Sequence, residues 1–291
     1  MIHARTSIRQ FAAIARLTAI ETIRHPLCLM LTLTGIGAAS LLPLVTAHEL
    51  GEQGRLARDG TLALHFVIGL FVAGYAACAS FRREIQTGIL STILSKSVSR
   101  ELFFLAKFAG IALVILLFSY CAALTTLLSQ RLAPHLFQVD WLAAKLLWGA
   151  SIAAILGAAT DNYVSRRPFS VHALLYLAVG LTAAVIVAGF WDRQGAWVRF
   201  GTALEWRLLA ANLLIALSLL LFAAFILVLA IRLPTAPVIA FGALFFAIGL
   251  LRDYLLGSAS GGLGLMASIP ASLIPDWQRF WVADALARQG Q

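Results

Sequence analysis

The chain has 291 residues, of which 61% are hydrophobic and only 12% are charged, whereas an average soluble domain is about half apolar and about a quarter charged. In a soluble protein the net charge of +9 would suggest nucleic-acid binding, but no basic stretch here is interleaved with aromatic residues, so we expect no nucleic-acid partner. Cys28, Cys78 and Cys121 lie in apolar runs without a C-x-x-C pair, which argues against a disulfide framework or a zinc site.

The N-terminal segment 1–26 contains four arginines and no long apolar run. On a helix the basic side chains share one face, and a set of apolar ones at spacings of three and four shares another. Such a pattern predicts an amphipathic helix lying in the membrane interface. The two faces are Arg5, Arg9 and Arg16, and Ile8, Phe11 and Ala15.

Seven apolar stretches then approach or reach the roughly 20 residues that a helix needs to cross a hydrocarbon core of about 30 Å. They are predicted to be helices, because a backbone facing lipid must satisfy its own hydrogen bonds. The sequence therefore predicts an all-α, polytopic membrane helix bundle with one transmembrane domain, 27–291. The predicted spans are 27–47, 61–80, 108–130, 141–160, 170–191, 208–231 and 236–251.

Positive charges set the predicted orientation. Four arginines precede the first span, and five Lys or Arg residues lie in the loop 81–107, whereas the arginines between the first two spans are offset by acidic residues. Because cytoplasmic loops carry the excess of Lys and Arg, we expect a cytoplasmic N-terminus and a cytoplasmic loop 81–107. The expected location is the cell membrane, the inner membrane of a bacterium.

The tail 254–291 is rich in glycine and is interrupted by Pro270 and Pro275. It is too broken for a straight span and too apolar for a free loop. Non-helical backbone is tolerated at membrane depth only where protein buries it, so we predict a re-entrant or interfacial segment on the outer face.

The motifs of common enzymes are missing from the sequence. It has no phosphate-binding loop, no H-E-x-x-H and no G-x-S-x-G. We therefore expect no catalytic residue, no metal site and no cofactor in this chain. His65, Asn212 and Lys145 are polar residues in predicted spans and could mark a pathway. All three lie near span ends, where we expect them to be kept wet.

The loop 81–107 is the most informative segment. Its apolar residues between Ile85 and Leu94 predict a short helix with charges at both ends. A rigid helix tied to two spans can pass a push from a soluble partner into the membrane, although the same pattern also suits a connector that only lies at the interface.

The loop resembles that of type-two ABC exporter permeases, and most closely the branch named for multi-copper enzyme maturation. The resemblance rests on Glu84-x-x-x-Gly88, on residues 94–100 (Leu-Ser-Lys-Ser-Val-Ser-Arg) and on residues 107–110 (Lys-Phe-Ala-Gly). Ser97 stands where the family usually has proline. Residues 1–26 are similar to the family's elbow helix and the tail to its outer re-entrant segment, with residues 275–280 (Pro-Asp-Trp-Gln-Arg-Phe) similar to a stretch that many members carry there. Family members usually have a further span that this sequence does not show.

The resemblance implies a type-two ABC exporter transmembrane domain and a short cytoplasmic coupling helix that docks on an ABC ATPase subunit. It also implies a dimer with a second permease copy or a sister permease, and ATP hydrolysis only in the partner chain. The residues implied in ATPase coupling are Glu84, Gly88, Leu94, Lys96, Arg100 and Lys107.

Two other classes stay open. One is a membrane maturation or assembly factor on the same scaffold, which an ATPase independent of substrate and a client bound outside would favour. The other is a secondary transporter working without ATP, which a gradient-driven flux through this chain alone would favour.

Overall fold

The structure is a computed structural model that describes residues 2–46, 53–86, 99–133, 139–251, Pro275 and Trp277. For residues 2–6, 81–86 and 235 it describes the backbone only. Over these residues the chain is all-helical, as predicted, apart from one isolated bridge between Trp191 and Trp197. The described helices are α1 (Ile2–Arg24), α2 (Pro26–Val45), α3 (Gln53–Gln86), α4 (Arg100–Leu132), α5 (Trp141–Ser165), α6 (Phe169–Phe190), α7 (Arg207–Ala230) and α8 (Thr235–Leu250).

Six of these helices, α2 to α7, are long and apolar enough to cross a membrane. This confirms a multi-pass helical membrane protein, and each of the six coincides with a predicted span. The seventh predicted span, 236–251, is also a helix. At 16 residues, however, α8 rises only about 24 Å, which is less than the hydrocarbon core of about 30 Å.

Capping side chains fix several helix starts. Ser99 accepts a hydrogen bond from the backbone N–H of Leu102 at the start of α4, and Asp140 accepts one from Ala143 at the start of α5. Arg166, at φ +55°, ends α5 in the left-handed conformation. After Arg166 the chain turns back within a few residues, so that α5 and α6 form a closely packed hairpin.

Helix α4 lies at the centre of the bundle, in contact with α1, α2, α3, α5, α6 and α7. From α2 onward, neighbours along the chain run in opposite directions, but α7 runs parallel to α3, because His65 meets Asn212 and Gly69 meets Leu219. Likewise α6 runs parallel to α4, since Tyr120 bonds Thr182 and Arg131 bonds the Ala188 carbonyl. The core forms two apolar clusters, one of α1, α2 and α4–α6 and one of α3, α4, α7 and α8, and both share α4.

The predicted loop 81–107 is shorter than expected. Helix α3 continues through residues 81–86, and α4 begins at Arg100 rather than at residue 108. Residues 87–98 lie outside the described part of the chain, and with them most of the predicted coupling helix.

The two ends of the bundle are named by a residue at each. The Lys107 end is where α3 ends and α4 begins, and the Arg131 end is where α4 ends and α5 begins.

Helix α1 is the predicted N-terminal helix, and of its predicted apolar face Ala15 is buried against the bundle while Ile8 is 67% exposed. The other buried residues, Thr18, Ala19 and Thr22, are small or polar. They let α1 pack closely on α4 near Gly110, where an added Cβ would lie 2.5 Å from the Ala15 carbonyl oxygen.

Candidate functional site

The residues predicted to couple the chain to an ATPase fall at the Lys107 end. The backbone of Glu84 lies in the last turn of α3, and Arg100 is the first residue of α4, where its side chain is exposed. Gly88, Leu94 and Lys96 lie outside the described residues. The structure therefore brings the two flanks of the predicted segment to one end of the bundle.

Lys107 joins these two flanks directly. Its side chain is 1% exposed, and its ammonium group donates to the carbonyl oxygen of Ser80 at 2.8 Å and to the Ser80 hydroxyl at 3.0 Å. The same nitrogen lies 5.6 Å from the centroid of the Phe103 ring. A buried ammonium is costly unless its protons are satisfied, so this contact holds α3 and α4 together near the two helix ends that the segment 87–98 connects in the chain.

Both helices at this contact are longer than a bilayer requires. With 34 residues in α3 and 33 in α4, each rises about 50 Å, against about 30 Å of hydrocarbon. Each of the two helices therefore extends beyond the hydrocarbon core.

His65 and Asn212 form a second polar site, and here the expectation that they stay wet near span ends is wrong. His65 is 3% and Asn212 2% exposed, and the His65 Nδ1 atom lies 2.8 Å from the Asn212 Oδ1 atom. The reason is that α3 begins at Gln53, eight residues before the predicted span, so His65 lies well inside the helix. Lys145 is exposed on α5, as expected.

A small cavity lies beside His65, where α2, α3 and α4 meet. The volume of the cavity is about 10 Å³. Its lining combines apolar and hydroxyl side chains, and the polar members are Thr61, His65, Thr125 and Thr126.

An ion pair at the Arg131 end was not foreseen from the sequence. The Arg131 Nε atom donates to an Asp140 carboxylate oxygen at 2.6 Å, and both side chains are 1% exposed. Arg131 also donates to the Ala188 carbonyl, while Asp140 caps α5. The sequence does place Arg131 just after one apolar run and Asp140 just before the next. Their burial, however, depends on α6 packing over them, which the sequence does not reveal.

Trp277 places one point of the predicted re-entrant tail. Its side chain is 3% exposed, and its ring lies 5.8 Å from that of Phe245 and 6.4 Å from that of Phe66, measured between centroids. It also contacts Gly249 near the end of α8. The tail therefore packs against α3, α7 and α8 at this residue.

Within the described residues no group of three or more His, Cys, Asp or Glu side chains is placed to hold a metal ion. None of the three cysteines, all of which lie in the described part of the chain, forms a disulfide; Cys28 and Cys121 are buried and Cys78 is half-buried. Comparison of the chain with protein-family models, with curated proteins and with solved structures finds no match.

Proposed function

We propose that this chain is the membrane-spanning permease subunit of an ABC exporter, which couples ATP hydrolysis by a separate ATPase subunit to substrate movement across the membrane. The observation that carries the proposal is the pair of over-long helices α3 and α4, which Lys107 ties together near the two helix ends that the segment 87–98 connects in the chain. The loop resemblance supports the proposal.

The packing provides a route for the movement. A push on the segment 87–98 reaches α3 and α4 together, because Lys107 holds Ser80. From α3 it passes to α7, which is parallel to it and packs closely along it at Gly69 and Leu219. From α4 it passes to the hairpin of α5 and α6. The two groups of helices can then separate around α4, opening a path along this subunit or between two copies.

The proposed orientation puts the Lys107 end in the cytoplasm of a bacterium and the Arg131 end outside the inner membrane. Exposed arginines support this placement: Arg9 and Arg16 on α1, and Arg166 and Arg167 between α5 and α6, since the positive-inside bias acts on short loops near span ends. Helix α1, packed at the Lys107 end, suits the elbow helix of the resemblance, and Trp277 suits its re-entrant segment.

The test is purification of the chain from its native membrane in mild detergent, followed by mass spectrometry of what accompanies it. We expect an ABC ATPase in near-stoichiometric amount, and a second permease copy or a sister permease. Glu84→Arg should remove the ATPase while leaving the chain folded, because a reversed charge at the docking end opposes binding.

The matched control is Arg55→Glu, a charge reversal at the opposite end of the same helix, where Arg55 is 52% exposed. This variant should keep the ATPase. The proposal fails if no ATPase is found in a preparation that keeps other complexes whole, or if Glu84→Arg retains both the ATPase and its stimulation.

A secondary transporter working without ATP is the second candidate, and the buried His65–Asn212 pair favours it, because ionisable residues at membrane depth often lie on ion pathways. Liposomes containing the chain alone decide between the two. A flux driven by a proton gradient and abolished in His65→Gln would support this second function, whereas the permease reading expects no flux.

A further inference from the structure

The cavity between α2, α3 and α4 is lined by His65 together with threonine side chains. The Nε2 atom of His65 is buried, and none of the described residues gives it a hydrogen-bond partner. The ring is held in place by Asn212 on one side and by the edge of Phe118, whose centroid lies 5.6 Å away. His65 is itself one of the residues that line the cavity.

The hydrogen bonds around Asn212 fix which nitrogen of His65 carries the proton. The Asn212 amide nitrogen donates to the Leu208 carbonyl at 2.8 Å, so its oxygen is the atom that faces Nδ1 of His65. An amide oxygen only accepts, and Nδ1 must therefore hold the proton. The described residues that line the cavity include no charged side chain, and a cation at membrane depth without a counter-charge is costly. The imidazole is then neutral, with Nε2 an acceptor.

The threonine hydroxyl groups that line the cavity are also acceptors, because each already donates its proton to a backbone carbonyl. Thr125 and Thr126 donate to the carbonyls of Cys121 and Ala122, at 2.8 and 2.9 Å, and Thr61 donates to that of Arg58 at 2.9 Å. Each hydroxyl has one proton and has used it on its own helix. A polar group bound by these hydroxyls must therefore be a hydrogen-bond donor.

We propose that this cavity is a binding site for one water molecule, which donates to Nε2 of His65 and to a threonine hydroxyl. Its size of about 10 Å³ is about what one water requires, and a buried water needs two to four polar partners, which the lining supplies. The neutral lining favours water over ammonium. The site is independent of the proposed permease function.

The test uses the full chain in lipid bilayers with ¹⁵N-labelled histidine, studied by solid-state NMR. His65 is assigned by comparison with His65→Gln. We expect a protonated Nδ1, an unprotonated Nε2, and magnetisation transfer from water to the His65 ring. In the double variant Thr125→Val/Thr126→Val this transfer should fall several-fold, because the hydroxyls that anchor the water are gone.

The matched control is Thr22→Val on α1, since Thr22 is also buried and also donates to its own helix, at 2.8 Å, but lies outside the cavity. It should leave the transfer unchanged. A proton on Nε2, an absence of transfer, transfer that appears only when ammonium is added, or an unchanged signal in the double variant would each overturn the proposal. If the double variant does not fold, the wild-type measurements still decide.

Discussion

Arg131 and Asp140 show how much depends on single side chains in this bundle. The pair is almost completely buried and connects the ends of α4 and α6 to the start of α5. Two charges removed from water gain little net stability from each other, but either charge alone in such a site is strongly destabilising. The pair therefore holds three helices in one arrangement at the Arg131 end, and its effect becomes visible only when one partner is removed.

We expect Arg131→Leu to lower the free energy of unfolding by about 3–5 kcal/mol, because it leaves a buried carboxylate without its cation. The double variant Arg131→Leu/Asp140→Asn should recover most of this loss, since asparagine is neutral and still caps α5. Thermal unfolding in detergent measures both.

The control for this prediction is Arg55→Leu, which removes an exposed pair at 3.8 Å and should cost no more than about 1 kcal/mol. If the double variant were as unstable as Arg131→Leu alone, the charge of Asp140 would not be the cause.

At the scale of the helices, Gly110 is the described glycine at which an added Cβ would come closest to the backbone of another segment, here α1. At Gly110 an added Cβ would lie 2.5 Å from the Ala15 carbonyl and 2.7 Å from the Thr18 Cβ. Small residues commonly mark such close helix contacts in membranes. Because a backbone carbonyl cannot move aside as a flexible side chain can, the two helices must separate if Gly110 gains a side chain.

Gly110→Ala should therefore destabilise the protein by about 1–3 kcal/mol through overpacking, measured as a loss in thermal unfolding. Gly149→Ala is the matched control on α5, where nothing lies within 4 Å of an added Cβ. It should be neutral or stabilise the helix by up to about 1 kcal/mol. Equal effects of the two variants would show that α1 does not press on α4.

The spans were predictable because hydropathy reports the lipid that surrounds a helix, and α5 to α7 begin or end within a few residues of the predicted positions. Hydropathy does not report where a helix continues into water. Residues 81–86 and 100–107 were assigned to a loop because charged residues stand among them, although most are good helix formers. The pairing of His65 with Asn212 was beyond prediction, since they are 147 residues apart and meet only because α3 and α7 pack in parallel.

At the scale of the whole molecule, α4 is shared by two apolar clusters, and the tail closes one of them. Trp277 packs among Phe66 of α3, Phe222 of α7, and Phe245 and Phe246 of α8. Helix α8 is the shortest apolar helix described and has few other neighbours, which are α3 and α7. The Trp277 ring therefore adds to the contacts that hold α8 in the bundle.

We expect Trp277→Ala to lower the free energy of unfolding by about 3–5 kcal/mol, the range for truncating a buried aromatic side chain. Gly249→Ala should act in the same direction, because its Cβ would lie 2.2 Å from the Trp277 Nε1 atom and 2.9 Å from the Pro275 carbonyl oxygen. Trp197→Ala is the control, since Trp197 is 70% exposed and should cost far less. Thermal unfolding of the three variants in one detergent measures how much stability each variant loses.

If Trp197→Ala proved as harmful as Trp277→Ala, loss of any tryptophan would explain the result, and the tail would have no special part in holding α8. If Gly249→Ala alone were harmless, the ring of Trp277 would not press on α8 as closely as the structure places it.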